Sequence, residues 1–266
     1  MIPESSKFIC PVCHGPLLKL ADNYKCMQGH SFDKARQGYV NLLMSGGSGK
    51  RHGDDKLMVV ARRLFLNKGY YEPLRDTVQQ LAGQGHTILD VGCGEGYYTS
   101  ALAENNEVCG VDISKDALKL AAKRCPNSEF AVASIGNIPL SDGAADTIVN
   151  IFAPDSPTEY LRVLKSGGRL ITALPMERHL FELKAAVYDE PYLNPAVVTR
   201  REGFTLTTSK ELKYSITLSS AEDIDALFKM TPYYYKTSAR DQAKLNGLDS
   251  LTVGLEFMIC EYTKNG

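Results

Sequence analysis

A chain of 266 residues, 44% hydrophobic and 23% charged, is long enough for one large domain or for a small module ahead of a larger one, and can bury a real core. Its longest uncharged apolar runs, such as Leu57 to Ala61, Ile148 to Ala153 and Leu170 to Pro175, fall far short of the roughly 20 residues a membrane span requires. The start of the chain is mixed and polar without a signal-like stretch, so a cytoplasmic protein with no membrane partner is expected. The net charge of −1 hides an asymmetry: residues 1–70 hold 11 Lys and Arg against 5 Asp and Glu, and residues 71–266 hold 19 against 26. A polyanionic partner would therefore meet the first quarter of the chain.

Seven cysteines are an odd number, unevenly placed, which argues against a disulfide framework. Cys10, Cys13 and Cys26 fall within 17 residues, and His30 completes the pattern C-x2-C-x12-C-x3-H. Zinc takes four soft or borderline ligands in a tetrahedron, and a two-residue gap lets two thiolates face one point. Gly15-Pro16 and Gly29 supply turns where the chain must reverse around a metal. The same Gly-Pro pair weakens a thioredoxin-like reading of Cys10-x-x-Cys13, which should open a helix. His14 is the alternative fourth ligand, but its adjacency to Cys13 makes closing a tetrahedron hard, so His30 is preferred. Four protein ligands leave no position for water, which makes the metal structural.

Gly38 to Leu43 is predicted as a short strand, and the Gly/Ser-rich run Ser45 to Gly53 as a flexible linker or mobile loop. From Asp54 an amphipathic helix is predicted, with Leu57, Val60, Ala61, Leu64 and Phe65 on its apolar side, Arg62 and Arg63 opposite, and Gly69 ending it. Lys50, Arg51, Arg62 and Arg63 are candidate phosphate contacts; the competing reading of each is a solvated charge.

From residue 87 strands alternate with helices. Thr87 to Val91, Glu107 to Ile113, Phe130 to Ser134, Thr147 to Phe152 and Arg169 to Leu174 are predicted strands. Helices are predicted from Tyr97 to Glu104 and, capped by Ser114, from Lys115 to Arg124. Such alternation implies a doubly wound, mostly parallel α/β sheet. Gly92, Gly94 and Gly96 remove side chains where the first strand turns into a helix, so a ligand can approach the backbone. Asp112 ends the next strand, where a carboxylate can accept both hydroxyls of a ribose. The spacing G-x-G-x-G is not the dinucleotide pattern, which favours a nucleoside cofactor over NAD.

Leu89-Asp-Val-Gly-Cys-Gly-Glu-Gly-Tyr-Tyr98 resembles the S-adenosylmethionine motif of Rossmann-like methyltransferases, Asn137 to Asp146 their adenine-side segment, and Leu164 to Leu170 their turn into the fifth strand. Joined to the zinc pattern, Gly38 to Leu43, Ala61 to Leu66, Gly69 to Asp76 and Arg178-His179-Leu180, the chain resembles the bacterial 23S rRNA guanine-N1 methyltransferases over most of its length. The resemblance implies transfer of a methyl group from S-adenosylmethionine to N1 of a guanine in a hairpin loop of 23S rRNA, free or in a ribosomal precursor particle, by an enzyme that can be a homodimer. It implies a zinc-binding module at residues 1–44, a linker loop and connecting helix at 45–75, and a Rossmann-like class I methyltransferase domain with an antiparallel last strand at 76–266. It further implies Cys10, Cys13, Cys26 and His30 around structural zinc, and Tyr71, Asp90, Gly92, Gly94, Tyr98, Thr99, Asp112, Ser134 and His179 around the cofactor. Tyr71 and Tyr98 read equally as core or rim aromatics, and His179 as a helix cap. Cys93 is a small packing residue in the glycine loop.

Neutral guanine carries a proton on N1, which must leave before or during attack. Asp155, after the fourth strand, is a weak candidate base that matches no motif, and Phe152 or Tyr39 could stack the base. Beyond residue 175 the expectations are paired strands at 204–219, a helix over Ala221 to Lys229 and a closing antiparallel strand over Leu251 to Tyr262. Tyr233 to Tyr235 reads as a half-buried strand, with base stacking the alternative. The competing functions are a small-molecule methyltransferase of quinone or metabolite type and a non-enzymatic cofactor-binding zinc protein. A small substrate needs neither the zinc knuckle nor the basic first quarter.

Overall fold

The computed structural model describes residues 4–44 and 53–266. Lys50, Arg51 and the expected linker, apart from Gly53, lie outside the described residues.

The chain opens on four short antiparallel strands in sequence order, β1 (Glu4–Ile9), β2 (Pro16–Lys19), β3 (Asn23–Cys26) and β4 (Ser31–Asp33). Phe8, Leu17 and Tyr24 turn inward from three of them and are fully buried. They belong to the same apolar cluster as Leu89, Val91 and Val111 of the larger sheet, so the ribbon is packed onto the body. Polar ties reinforce this: Ile9 N–H donates to Pro139 O at 2.9 Å, and Ser6 Oγ to Glu129 Oε2 at 2.8 Å. The small sheet ends at Asp33, and β5 (Val40–Asn41) pairs in parallel with a strand of the body.

The body continues with α1 (Lys56–Asn67), α2 (Glu72–Ala82), β6 (Thr87–Val91), α3 (Tyr97–Leu102), β7 (Glu107–Asp112), α4 (Lys115–Arg124), β8 (Glu129–Val132), β9 (Ala145–Ile151), α5 (Pro157–Val163), β10 (Leu164–Pro175), α6 (Phe181–Val187), β11 (Phe204–Leu218), α7 (Ala221–Lys229), α8 (Ala239–Gln242) and β12 (Leu251–Lys264). The eight-stranded order is β11-β12-β10-β9-β6-β7-β8-β5. From β10 to β5 the pairs are parallel, while β12 runs antiparallel between β10 and β11. Thr87–Val91 and Ala145–Ile151 are buried almost without a break, as expected of parallel strands covered on both faces. The chain leaves β6 toward β7 and β8, then returns to β9 on the other side of β6. That reversal opens a crevice at the carboxyl ends of β6 and β9, where open α/β sheets bind ligands.

Local signals set several boundaries. Ser114 Oγ accepts from Ala117 N and Ser220 Oγ from Asp223 N, capping α4 and α7 where the sequence placed their starts. Three expectations are corrected. Residues 204–219 are not a pair of strands: β11 is one strand whose partner is β12, more than thirty residues on. Tyr234–Lys236 is a turn of 3-10 helix rather than a strand. In α1, Leu57, Val60 and Leu64 are exposed, and the buried residues are Met58, Val59, Ala61, Phe65 and Leu66. The helix packs beside both α7 and α4, so its buried arc is turned away from the predicted stripe.

Candidate metal centre and active site

The ribbon brings four ligand atoms together at one end of its hairpins. Cys10 Sγ lies 3.5 Å and Cys26 Sγ 3.3 Å from His30 Nδ1, and Cys13 Sγ is 3.6 Å from Cys26 Sγ. A tetrahedron with metal–sulfur bonds of about 2.3 Å has edges of about 3.7 Å, so the donor set fits zinc in both chemistry and size. The set is Cys10, Cys13, Cys26 and His30, all ligand atoms within 4.8 Å of one another. His14 is outside it: the residue sits exposed at a positive φ of 57°, and its N–H closes the knuckle turn onto Cys10 O at 2.8 Å.

A cleft of about 570 Å³ lies over the carboxyl ends of β6, β7 and β9. Gly92, Gly94, Tyr98, Asp112, Ser134, Phe152 and Asp155 line it, together with Asp54 just ahead of α1 and Arg62 in the middle of that helix. Gly92 has φ of 67°, and a Cβ there would sit 2.4 Å from the Ala153 Cβ, so the loops after β6 and β9 meet only because this residue is glycine. The Asp112 carboxylate is built into the loops on either side: Oδ2 accepts from Gly94 N at 2.9 Å and Oδ1 from Ser114 N at 2.7 Å. Burial pushes its pKa upward against those two bonds. An acceptor fixed this way at the end of β7 suits a ribose diol, and a cleft of this size suits a nucleoside cofactor. Replacing Asp112 by Ala should weaken S-adenosylmethionine binding roughly 100-fold, the scale of a lost charge-assisted pair, while zinc content is unchanged. Calorimetric titration checks this, and wild-type affinity in the variant would reject the ribose role.

Other sequence candidates sit behind the cleft. Asp90 and Thr99 are buried beneath the glycine loop and bonded to each other, Thr99 Oγ1 donating to Asp90 Oδ2 at 2.6 Å. Burial, with Asp112 nearby, lifts the Asp90 pKa to about 7. Tyr71 and His179, 108 residues apart in sequence, meet at 3.5 Å between the tyrosine hydroxyl and Nε2. Both pack on Phe257, and Tyr71 also on Phe152. His179 is not a helix cap. Its Nδ1 accepts from Glu256 N at 3.2 Å, which places the ring proton on Nε2, and burial with the Lys184 charge lowers its pKa to about 3. A neutral donor of this kind does not accept a proton near neutral pH.

Asp155 lines the cleft and forms an ion pair with Arg201, 46 residues on and beyond the reach of any local pattern. Arg63 is exposed on α1, whereas Arg62 turns into the cleft and pairs with Asp54. The cleft was therefore partly missed: Asp54 and Arg62 belong to it, although helical periodicity placed Arg62 on the solvent side.

A family model described as Methyltransferase domain matches residues 82–222, and a zinc-ribbon model described as RlmA, N-terminal, matches residues 8–44. The 23S rRNA (guanine(748)-N(1))-methyltransferase of Streptomyces fradiae is 34% identical over 275 residues, covering 94% of this chain and 95% of that protein. The chain belongs to the 23S rRNA (guanine-N1)-methyltransferase family. YxjB of Bacillus subtilis (strain 168), provisionally named for the same reaction class, is 32% identical with 96% and 97% covered. A malonyl-[acyl-carrier protein] O-methyltransferase of Hahella chejuensis, 28% identical, aligns with 54% of this methyltransferase and 57% of its own length. Among solved structures, the YcgJ protein of Bacillus subtilis superposes with a TM-score of 0.51 at 15% identity, covering 72% of this chain and 98% of that one, and shows the fold. This methyltransferase has, among its described residues, no helix long and apolar enough to cross a membrane.

Proposed function

We propose that the chain transfers the methyl group of S-adenosylmethionine to N1 of a guanine in a hairpin loop of 23S rRNA. The observation that carries this reading is a Cys3His ribbon packed on the core of a nucleoside cleft, in a chain matched end to end by enzymes of that family. The small-molecule alternative leaves the ribbon unused. S-adenosylmethionine supplies an electrophilic methyl group on a sulfonium centre. Asp112 would hold its ribose, Ser134 and the loop after β8 would flank the adenine, and Gly92 and Gly94 would admit its backbone-facing edge. Tyr98 lines the same cleft, with Asp90 and Thr99 bracing the glycine loop from below.

The chain's own task is to align guanine N1 and to remove its proton. Phe152 serves the first. It has a positive φ of 59°, costly for an aromatic residue, and this turns its ring 41% exposed into the cleft. Buried Asn150 holds that turn, donating to Pro154 O at 3.1 Å and Tyr160 Oη at 2.8 Å and accepting from Ala153 N at 3.1 Å. The ring is thus a preorganised surface for a splayed base. Asp155, three residues on and kept close by Arg201, is our candidate proton acceptor. Asp155→Asn should lower kcat about 100-fold with cofactor affinity within about twofold. Single-turnover methyl transfer checks this, and near-normal turnover would remove Asp155 from the mechanism.

The deciding test of the function is transfer of labelled methyl to unmodified 23S rRNA, followed by nucleoside analysis. Label in N1-methylguanosine is expected. Its absence from both naked RNA and ribosomal precursor particles, with cofactor binding intact, would overturn the reading. Action on a precursor particle in the cytoplasm and a homodimeric assembly belong to the same proposal, the latter checked by sedimentation.

A further inference from the structure

Among the described residues that line the cleft, Arg62 is the one Lys or Arg. Its guanidinium lies over the glycine loop, where a Cβ on Gly94 would be 3.9 Å from Nη1. It pairs with Asp54 and also donates from Nη2 to Met230 O at 3.4 Å. A guanidinium has five N–H donors, more than these two acceptors use. Asp54 is in turn moored to the nucleoside end of the cleft, because Ser114 Oγ donates to its carbonyl at 2.7 Å and Ser114 N–H binds Asp112. The pair therefore bridges the cleft between the Asp112 side and the glycine loop. Close by, the Tyr98 hydroxyl is buried without a hydrogen-bond partner and its residue lines the same space.

A cation, an anion and an unpartnered hydroxyl at one end of a nucleoside cleft are complementary to a zwitterion. We propose that Arg62 and Asp54 recognise the amino-acid end of S-adenosylmethionine, Arg62 binding its α-carboxylate and Asp54 its α-ammonium group. The reading rests on the cleft being the S-adenosylmethionine site. The two side chains already neutralise each other, so engaging the ligand exchanges one ion pair for two and leaves no charge unpaired. The planar fork of Arg62 matches a carboxylate bidentately, which a lysine would not.

The test compares two ligands that share the adenosine part. S-adenosylmethionine carries the amino-acid group, and 5′-methylthioadenosine lacks it. Equilibrium titrations of both into wild type, Arg62→Gln, Arg62→Lys and Asp54→Asn give the answer without any RNA. Arg62→Gln is expected to weaken S-adenosylmethionine roughly 10- to 100-fold while changing 5′-methylthioadenosine less than about twofold. Arg62→Lys should fall between wild type and Arg62→Gln, and Asp54→Asn should show the same selectivity for the amino-acid end. Unchanged 5′-methylthioadenosine binding also certifies that a variant is folded. Equal losses on both ligands in Arg62→Lys and Arg62→Gln would mean that Arg62 only braces α1, and no loss on either would mean that it faces solvent; both overturn the proposal. Failure of the wild type to bind either ligand would instead overturn the cofactor assignment itself.

Discussion

Replacing Cys10 and Cys13 together by serine is expected to release the metal completely and to unfold the ribbon. A segment of some 35 residues buries too little apolar surface to hold itself, and in isolated zinc modules metal binding contributes about 10 kcal/mol or more of folding free energy. Here the loss should not stay local. Phe8, Leu17 and Tyr24 share one buried cluster with Leu89, Val91 and Val111, so melting the ribbon exposes one face of the large sheet beside β8. Exposing that face should cost the body about 4 kcal/mol, the scale of one large core side chain lost, which lowers its melting temperature by about 10 °C at roughly 2–4 °C per kcal/mol for a chain of this size. None of the described residues lining the cleft belongs to the ribbon, so cofactor affinity in the folded fraction should change little. Elemental analysis reads the first part, one zinc per chain falling to none. His14→Ala should keep its zinc and His30→Ala should lose it, and the reverse pattern would reject the ligand set.

The parts of this architecture visible in the sequence are those specified by nearest neighbours. Ser114 announces its helix because the capping bond is made within three residues. The zinc set is legible because two of its spacings are short and the chemistry of the ligands is restrictive. Where the packing partner is remote, the sequence misleads. α1 carries apolar residues on most of its circumference, and only the positions of α4 and α7 decide that Met58 and Phe65 turn inward while Leu57 and Leu64 do not. The same rotation carries Arg62 from its predicted solvent face into the cleft, where Asp54 meets it. β11 pairs across more than thirty residues, and Tyr71 meets His179 across 108, separations over which no local pattern operates. The Arg201 partner of Asp155 was hidden for the same reason.

The opposed burial of Asp90 and His179 leads to the second large effect, an acid dependence of stability that each group conceals in the other. Asp90 has its pKa raised to about 7, chiefly by burial, so its cost to the fold is absent below an ordinary Asp pKa of about 3.9 and grows as pH rises toward 7. His179 has its pKa lowered to about 3, again chiefly by burial, so its cost is absent above about 6.5 and grows as pH falls toward 3. Between about pH 4 and 6.5 folding takes up a proton at Asp90 and releases one at His179, and the two slopes cancel. Asp90→Asn removes the uptake. Relative to wild type its stability should therefore climb with pH by up to about 1.4 kcal/mol per unit, or about 3 kcal/mol across the window. His179→Gln removes the release, and relative to wild type its stability should fall as pH rises, by a similar total. Urea denaturation of the three cofactor-free proteins at pH 4.5, 5.5 and 6.5 measures both, and the metal-linked term is common to all three and drops out of the differences. Three parallel curves would mean that neither group is held away from its ordinary titration, and that Asp90 under the glycine loop is ionised throughout.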